Sequence, residues 1–293
     1  MNIDKGNIRK GFSLQTSDNF LSIPGCQLWL DGALRKQEDF SGRISVWGDL
    51  SPFQRNFSNQ AGLATKPINK GSYIEFNGAL RQNFRRPSQQ EFGYLHNGKE
   101  SFSFFVTAKI KVNPPTYPVF YNYGIGDVQA PGIALRANNN SETDYRVQVL
   151  RFDKQSNSIS YENGVNGLFQ ERFIVMGFVF DNNTKTARVY RRAVNSNTHF
   201  GTGSRFSERT GWYSNTDSPD NHTTSIIGNS TTGSMDLWNI VSHKWPSAAT
   251  TFEIDEYIES ILLLLQENLK RVYLEETGFA ITDDHILVPE NGF

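Results

Sequence analysis

Residues 26–59, CQLWLDGALRKQEDFSGRISVWGDLSPFQRNFSN, decide how the rest of this 293-residue chain is read. Leu28-Trp29-Leu30 is a short apolar run that ends at the acidic turn Asp31-Gly32, and Ile44-Ser45-Val46-Trp47 is a second. Runs of this length, rich in aliphatic, β-branched and aromatic residues and bounded by Gly and Asp, predict strands. Each carries a tryptophan, and the pair gives a small sheet edge a large apolar area to bury. A polar loop opens at Gly48-Asp49 and continues through Pro52-Phe53-Gln54-Arg55-Asn56.

Outward from this stretch, short strand-like runs recur between Gly, Pro and Asn clusters, the pattern of a sandwich. Phe102, Phe104, Val106, Ala108, Ile110 and Val112 alternate with Ser103, Phe105, Thr107, Lys109 and Lys111. That period of two predicts a strand with one dry and one partly wet face. Residues 117–123, 132–137 and 145–152 follow as strands, and 173–180 (FIVMGFVF), apolar on both sides, belongs mid-sheet. Asp181-Asn182-Asn183-Thr184 turns that strand into Ala187-Arg188-Val189-Tyr190, a hairpin. Residues 195–225 form a Ser/Thr/Asn/Gly-rich excursion, and 225–228 and 235–241 are the last strands.

After Pro246 the period changes. Ile254, Ile258, Ile261, Leu262, Leu265, Leu269 and Val272 fall on one helical stripe, which predicts a helix over 251–275, about 38 Å long. Thr250 and Glu253 have capping-box spacing, and Gly278 is placed to stop the helix. Residues 279–293 form a tail with apolar spots of its own.

Three segments, Leu28-Trp29-Leu30-Asp31, Trp47-Gly48-Asp49-Leu50-Ser51 and Ile74-Glu75-Phe76-Asn77-Gly78, carry a resemblance. They are similar to the LWLDA-type strand, W-x-D-x-S loop and (L/I)-x-F-(D/N)-G strand of laminin-G-like, concanavalin A-like domains of bacteriophage and bacterial surface proteins. The resemblance runs from Gly25 to the helix after Pro246, and the hairpin at 173–190 is similar to the family's late strand pair. Pro52 to Asn56 departs from it, standing where a Gly/Asn-rich run is usual. The resemblance implies an all-β, concanavalin A-like jelly-roll β-sandwich over residues 24–245. An N-terminal arm, 1–23, would precede it, and a long C-terminal α-helix and tail, 246–293, would follow, leaving extended arms at both ends. It also implies a phage-type virion component of the capsid surface or tail, made in a host cytoplasm. Its partners would be other virion proteins, further copies of itself and cell-surface glycan.

The bulk numbers narrow the choice. With 29 Lys+Arg against 30 Asp+Glu the net charge is −1, so no global field draws in nucleic acid or an anionic membrane. The aliphatic run 261–265 is far shorter than the roughly 20 residues of a membrane span, and the first residues lack the apolar core of a signal peptide. The single cysteine, Cys26, forms no internal disulfide and reads as a buried spectator.

Candidate chemistry is sparse. Glu253-Ile254-Asp255-Glu256-Tyr257-Ile258-Glu259 invites comparison with the paired carboxylates of glucanases sharing the concanavalin A-like fold. Its E-x-D-x-x-x-E spacing does not match theirs, and a helix start explains every residue in it. The five histidines show no ligand spacing. No cofactor is expected: Asp127, Asp217 and Asp220 offer the hard oxygens Ca2+ requires, but neither of their loops has the D-x-D-x-D-G form, and ordinary Asx-turns account for them. Flat aromatic faces beside amides make Trp212, Tyr213 and Asn215, and Tyr121, Asn122 and Tyr123, glycan-binding candidates. Arg81, Arg85 and Arg86, with Phe84 and Tyr94, suit an acidic glycan or a partner's carboxylates. The expected function is therefore a non-enzymatic structural or binding protein. A glycoside hydrolase and a free-standing carbohydrate-binding module are the alternatives. Apolar residues near both termini, and a helix longer than a sandwich needs to close, favour assembly.

Overall fold

The computed structural model describes residues 20–59, 62–87, 91–95, 98–111, 119–123, 132–141, 144–152, 158–166, 173–192, 207–209, 224–228 and 233–277. In chain order the strands are β1 (Cys26–Asp31), β2 (Lys36–Glu38), β3 (Ile44–Trp47), β4 (Phe57–Ser58), β5 (Ile68–Asn69), β6 (Ile74–Phe76), β7 (Asn83–Pro87) and β8 (Phe102–Lys111). They continue with β9 (Val119–Tyr123), β10 (Gly132–Ser141), β11 (Asp144–Phe152), β12 (Ser158–Asn166), β13 (Phe173–Asp181), β14 (Thr186–Arg192), β15 (Ser207–Arg209), β16 (Thr224–Gly228) and β17 (Ser234–Lys244). One long helix, α1 (Thr251–Thr277), follows.

Among the described residues these strands form two antiparallel sheets, the layering of a β-sandwich. The first has the order β15-β14-β13-β8-β17-β6-β5. Its strand β17 pairs with β8 along one side, while β6 and β1 share the other, β6 at Met235 and Leu237 and β1 at Asn239 to His243. The second runs β12-β11-β10-β9-β16-β7-β4-β3-β2. The strands β1 and β3 of the opening stretch thus lie in opposite sheets and do not form one edge. Trp47 is fully buried between the layers, its indole Nε1 donating to the Asp31 carbonyl at 2.8 Å. Trp29 packs edge-on against Phe20, on the side away from that core.

The core between the sheets is aromatic. Phe104 meets Tyr121 at 5.0 Å and Phe76 meets Phe84 at 5.7 Å, each pair joining one sheet to the other. Two such pairs add about 0.5–1.5 kcal/mol each beyond the area they bury. At one edge the sheets are tied by Asp49, whose carboxylate is wholly buried. Its Oδ1 accepts from the Trp29 and Ser51 backbone N–H groups at 2.9 and 2.8 Å; its Oδ2 accepts from the Ser51 hydroxyl and the Arg55 N–H at 2.6 and 2.8 Å. Residues Pro52 to Asn56 close this loop. Arg55 lies over the Phe53 and Phe92 rings and donates to the Gln27 carbonyl at 3.1 Å.

A second core lies on the outer face of the first sheet. The seven apolar residues of the helical stripe are all buried there against Phe105, Val175, Val179, Trp238, Val241 and Trp245. This corrects the reading of β8, because Ser103 and Thr107, placed on a partly wet face, are fully buried beneath α1. Burial of both faces of β13 also explains its unbroken apolar run. Gly177 has a packing reason, since a Cβ there would lie 2.0 Å from the Phe105 ring. Phe20 and Ile23, read as part of an arm, are buried in this second core. The stripe's apolar face is occupied within the chain, so helix length does not of itself argue for assembly.

Candidate functional site

The helix start is held by charge as well as by apolar burial. Thr250 N–H and Oγ1 both donate to the Glu253 carboxylate at 2.9 Å, and the Glu253 N–H donates to Thr250 Oγ1 at 3.2 Å. These bonds are the reciprocal capping box, and the backbone N–H of Thr250 holds the Glu253 carboxyl below its ordinary range. Asp255 pairs with Arg188, which is 1% exposed on β14. Asp181 Oδ2 accepts from Thr251 Oγ1 at 2.6 Å and lies 3.9 Å from Arg188. Asn183 donates to the Ala249 carbonyl at 2.9 Å. The acidic run 253–259 therefore caps α1 and clamps it to the β13–β14 turn. Arg188 is the central residue of this clamp, and its Arg-Val-Tyr setting in the sequence reads only as an ordinary strand.

With the first sheet's outer face under α1, the second sheet's outer face becomes the place to look. Alternation along β7 sends Phe84 into the core and Arg85 to the outside. Cross-strand register then extends a row on that face: Gln37 opposite Val46, Val46 opposite Ser58, Ser58 opposite Arg85, Arg85 opposite Ile226 and Ile226 opposite Asn122. Gln37 and Arg85 are exposed, Val46 and Ser58 half-buried, and Ile226 buried. From Gln37 to Arg85 the row crosses three strand spacings, about 14 Å. Asn83 Oδ1 accepts from Arg85 Nε at 3.1 Å while its Nδ2 donates to the Arg81 carbonyl at 2.8 Å, so the guanidinium is aimed by a supported side chain.

The arginine cluster separates. Arg81 is exposed, in a left-handed conformation (φ 50°) at the end of a short 3-10 turn. Arg86 is taken up structurally, donating through Nε and Nη2 to the Glu91 carboxylate at 2.6 and 2.8 Å and through Nη1 to the Asn56 carbonyl at 3.0 Å. Phe84 and Tyr94, proposed beside them, are buried in the core. Tyr121 leaves the glycan-binding candidates as well. Its ring is 0% exposed against Phe104 and Phe92, and its hydroxyl meets Ser225 Oγ at 3.1 Å. Position 122 falls on the outer face in the Arg85 row, whereas 123 shares the inward register of 121. Sequence reasoning treated Asn122 and Arg85 as separate clusters, and only strand pairing brings them into line. Trp212, Tyr213, Asn215, Asp127, Asp217 and Asp220 lie outside the described residues. Among the described residues no three His, Cys, Asp or Glu side chains are grouped to hold a metal ion.

No protein-family model and no curated protein sequence matches the chain. Solved structures do. The chain is similar to the binding domain of Paraclostridial Mosquitocidal Protein 1, with TM-score 0.51 and 11% identity over 81% of this chain and 52% of that one. It is similar to the Trypanosoma rangeli sialidase, with TM-score 0.50 and 13% identity over 84% of this chain and 34% of that one. It is also similar to botulinum neurotoxin type C, whose cell entry depends on interaction with two ganglioside molecules, with TM-score 0.54 and 12% identity over 82% and 51%. The chain spans about a third to a half of these proteins' length. At such identities the likeness is one of fold alone, that of a β-sandwich.

Proposed function

We propose that the chain is a non-enzymatic recognition module that binds acidic glycan across the outer face of its second sheet, on a concanavalin A-like jelly-roll path. The observation that carries this reading is the division of labour between the sheets. Helix α1 occupies one outer face, and the other presents the exposed, supported Arg85 in register with Ser58, Val46 and the exposed Gln37. A guanidinium meets a carboxylate through two parallel hydrogen bonds, which suits it to a sugar acid. The fold likeness to a sialidase and to a ganglioside-dependent toxin supports the same ligand class. The sequence resemblance supplies the setting, a virion surface where the module would stand beside other virion proteins or further copies of itself.

Titration calorimetry with 3′-sialyllactose and with lactose tests this. The sialylated ligand is expected to bind and the neutral one to bind at least tenfold more weakly. Arg85→Ala should abolish that preference, and EDTA should leave it unchanged. Equal binding of both sugars would overturn the acidic-glycan reading. Release of sialic acid by the chain alone would overturn the non-enzymatic one.

A further inference from the structure

A pocket of about 320 Å³ opens between the turn after β1, the turn between β5 and β6, and the last turns of α1. That volume is at the lower end of the range for small-molecule sites. Its walls differ. One is apolar, with Ala33, Leu34 and Val272; the other is polar, with Asp31, Ser72, Asn268 and Arg271.

The polar wall is a directed relay. Arg271 Nη2 donates to Asn268 Oδ1 at 2.8 Å, and the Asn268 side chain is hydrogen-bonded to the Asp31 carboxyl. Asp31 Oδ1 accepts from the Ala33 N–H at 2.8 Å, and Gly32 N–H donates to the Trp238 carbonyl at 2.6 Å, which fixes the turn on the sheet. Asp31 is 8% exposed, so its carboxyl acts from inside the wall while Arg271 stands exposed at the rim. Each donor and acceptor is thus oriented before a ligand arrives, which lowers the cost of binding.

We infer that this pocket is a second saccharide site, taking a single neutral pyranose. The apolar wall matches the C–H face of a sugar ring. Asp31 supplies acceptor capacity, and Asn268 and Arg271 supply donors, to adjacent hydroxyls along its edge. The ligand class rests on the glycan-binding reading above; the location does not. A site made by the turn after β1 and the helix end shares no residue with the Arg85 row.

Saturation-transfer difference NMR with methyl α-glucopyranoside, methyl α-galactopyranoside and methyl α-mannopyranoside tests the inference. At least one is expected to bind with a Kd on the order of 1 mM. Asn268→Leu, which cuts the relay on a helix surface, is expected to weaken it at least tenfold with the thermal midpoint kept. Arg271→Gln, at an exposed position, should weaken it several-fold and serves where Asn268→Leu lowers the midpoint. Arg85→Ala should leave it unchanged. Absence of a saturable signal for all three glycosides would overturn the inference. So would a signal that survives both pocket variants, and one that vanishes with Arg85→Ala would assign the sugar to the outer face instead. Preferential binding of a zwitterionic amino acid such as glycine would overturn the sugar class.

Discussion

Asp49 shows how much one side chain holds in this molecule. Four donors, one from β1 and three from the loop after β3, converge on its carboxylate, so Asp49→Ala leaves several buried N–H groups without an acceptor. A loss of about 3–5 kcal/mol in urea unfolding is expected, with Asp49→Asn losing less because one oxygen still accepts. His243 and Asp236 set the response to acid. Burial pulls His243 down to about 4 from 6.5, where it stacks on Trp245, which in turn stacks on Tyr257 of α1. The unfolded chain takes that proton first, so His243 contributes stability that is present above about 6.5 and lost as pH falls towards 4. Burial pushes Asp236 up to about 6 from 3.8, against the pull of Lys111 at 2.9 Å. The folded chain keeps that proton longer, so the Asp236 contribution is greatest below about 4 and is lost as pH rises through 6. Between pH 4 and 6 the two slopes oppose. The urea midpoint of Asp236→Asn is therefore expected to fall as pH is lowered across this window, and that of His243→Phe to rise. Identical pH profiles for the two variants would refute this account. Residue roles of this kind were only half legible. The W-G-D-L-S segment stands out in the sequence, yet which donors reach Asp49 depends on Trp29 of β1 being brought alongside and on the loop turning Arg55 back.

At the scale of elements, the helix was legible because a 3.6-residue stripe and a capping box are local signals. What it covers was not. The alternation of Phe102 to Lys111 gives which residues share a face and says nothing of whether water or a helix lies beyond them, so Ser103 and Thr107 were misread. Two changes test the helix–sheet junction. Gly177→Ala puts a methyl group into the Phe105 ring under α1 and is expected to cost about 1–3 kcal/mol by thermal unfolding. Arg188→Met alone leaves Asp181 and Asp255 facing each other without their base, at a cost of about 3–5 kcal/mol. Adding Asp255→Asn to Arg188→Met should recover part of that loss, which a double-mutant cycle would measure.

For the whole molecule, two antiparallel layers could be read from the spacing of strands and turns, whereas the assignment of strands to layers could not. β1 and β3 sit close in sequence and go to different sheets. Composition cannot tell an aromatic in a core from one on a rim; Tyr121 lies inside and Arg85 outside. Phe20 and Ile23, expected in an N-terminal arm, belong to the helix-side core. Deleting residues 1–23 removes Phe20 and Ile23 from the helix-side core and is expected to cost about 3–6 kcal/mol, a clear drop in thermal midpoint.

The pairing of β1 with β17 has a consequence for biosynthesis. Its partners lie at opposite ends of the described chain, as does the contact between His243 and the Phe20 carbonyl, 223 residues apart. At about 5–20 residues per second, the ribosome delivers β17 roughly 10–40 s after β1 has emerged. During that interval the nascent Leu28-Trp29-Leu30 segment has neither its sheet neighbour nor the helix that later shields Trp29. Holding that extended apolar segment until β17 has been made is work for a chaperone of the nascent chain.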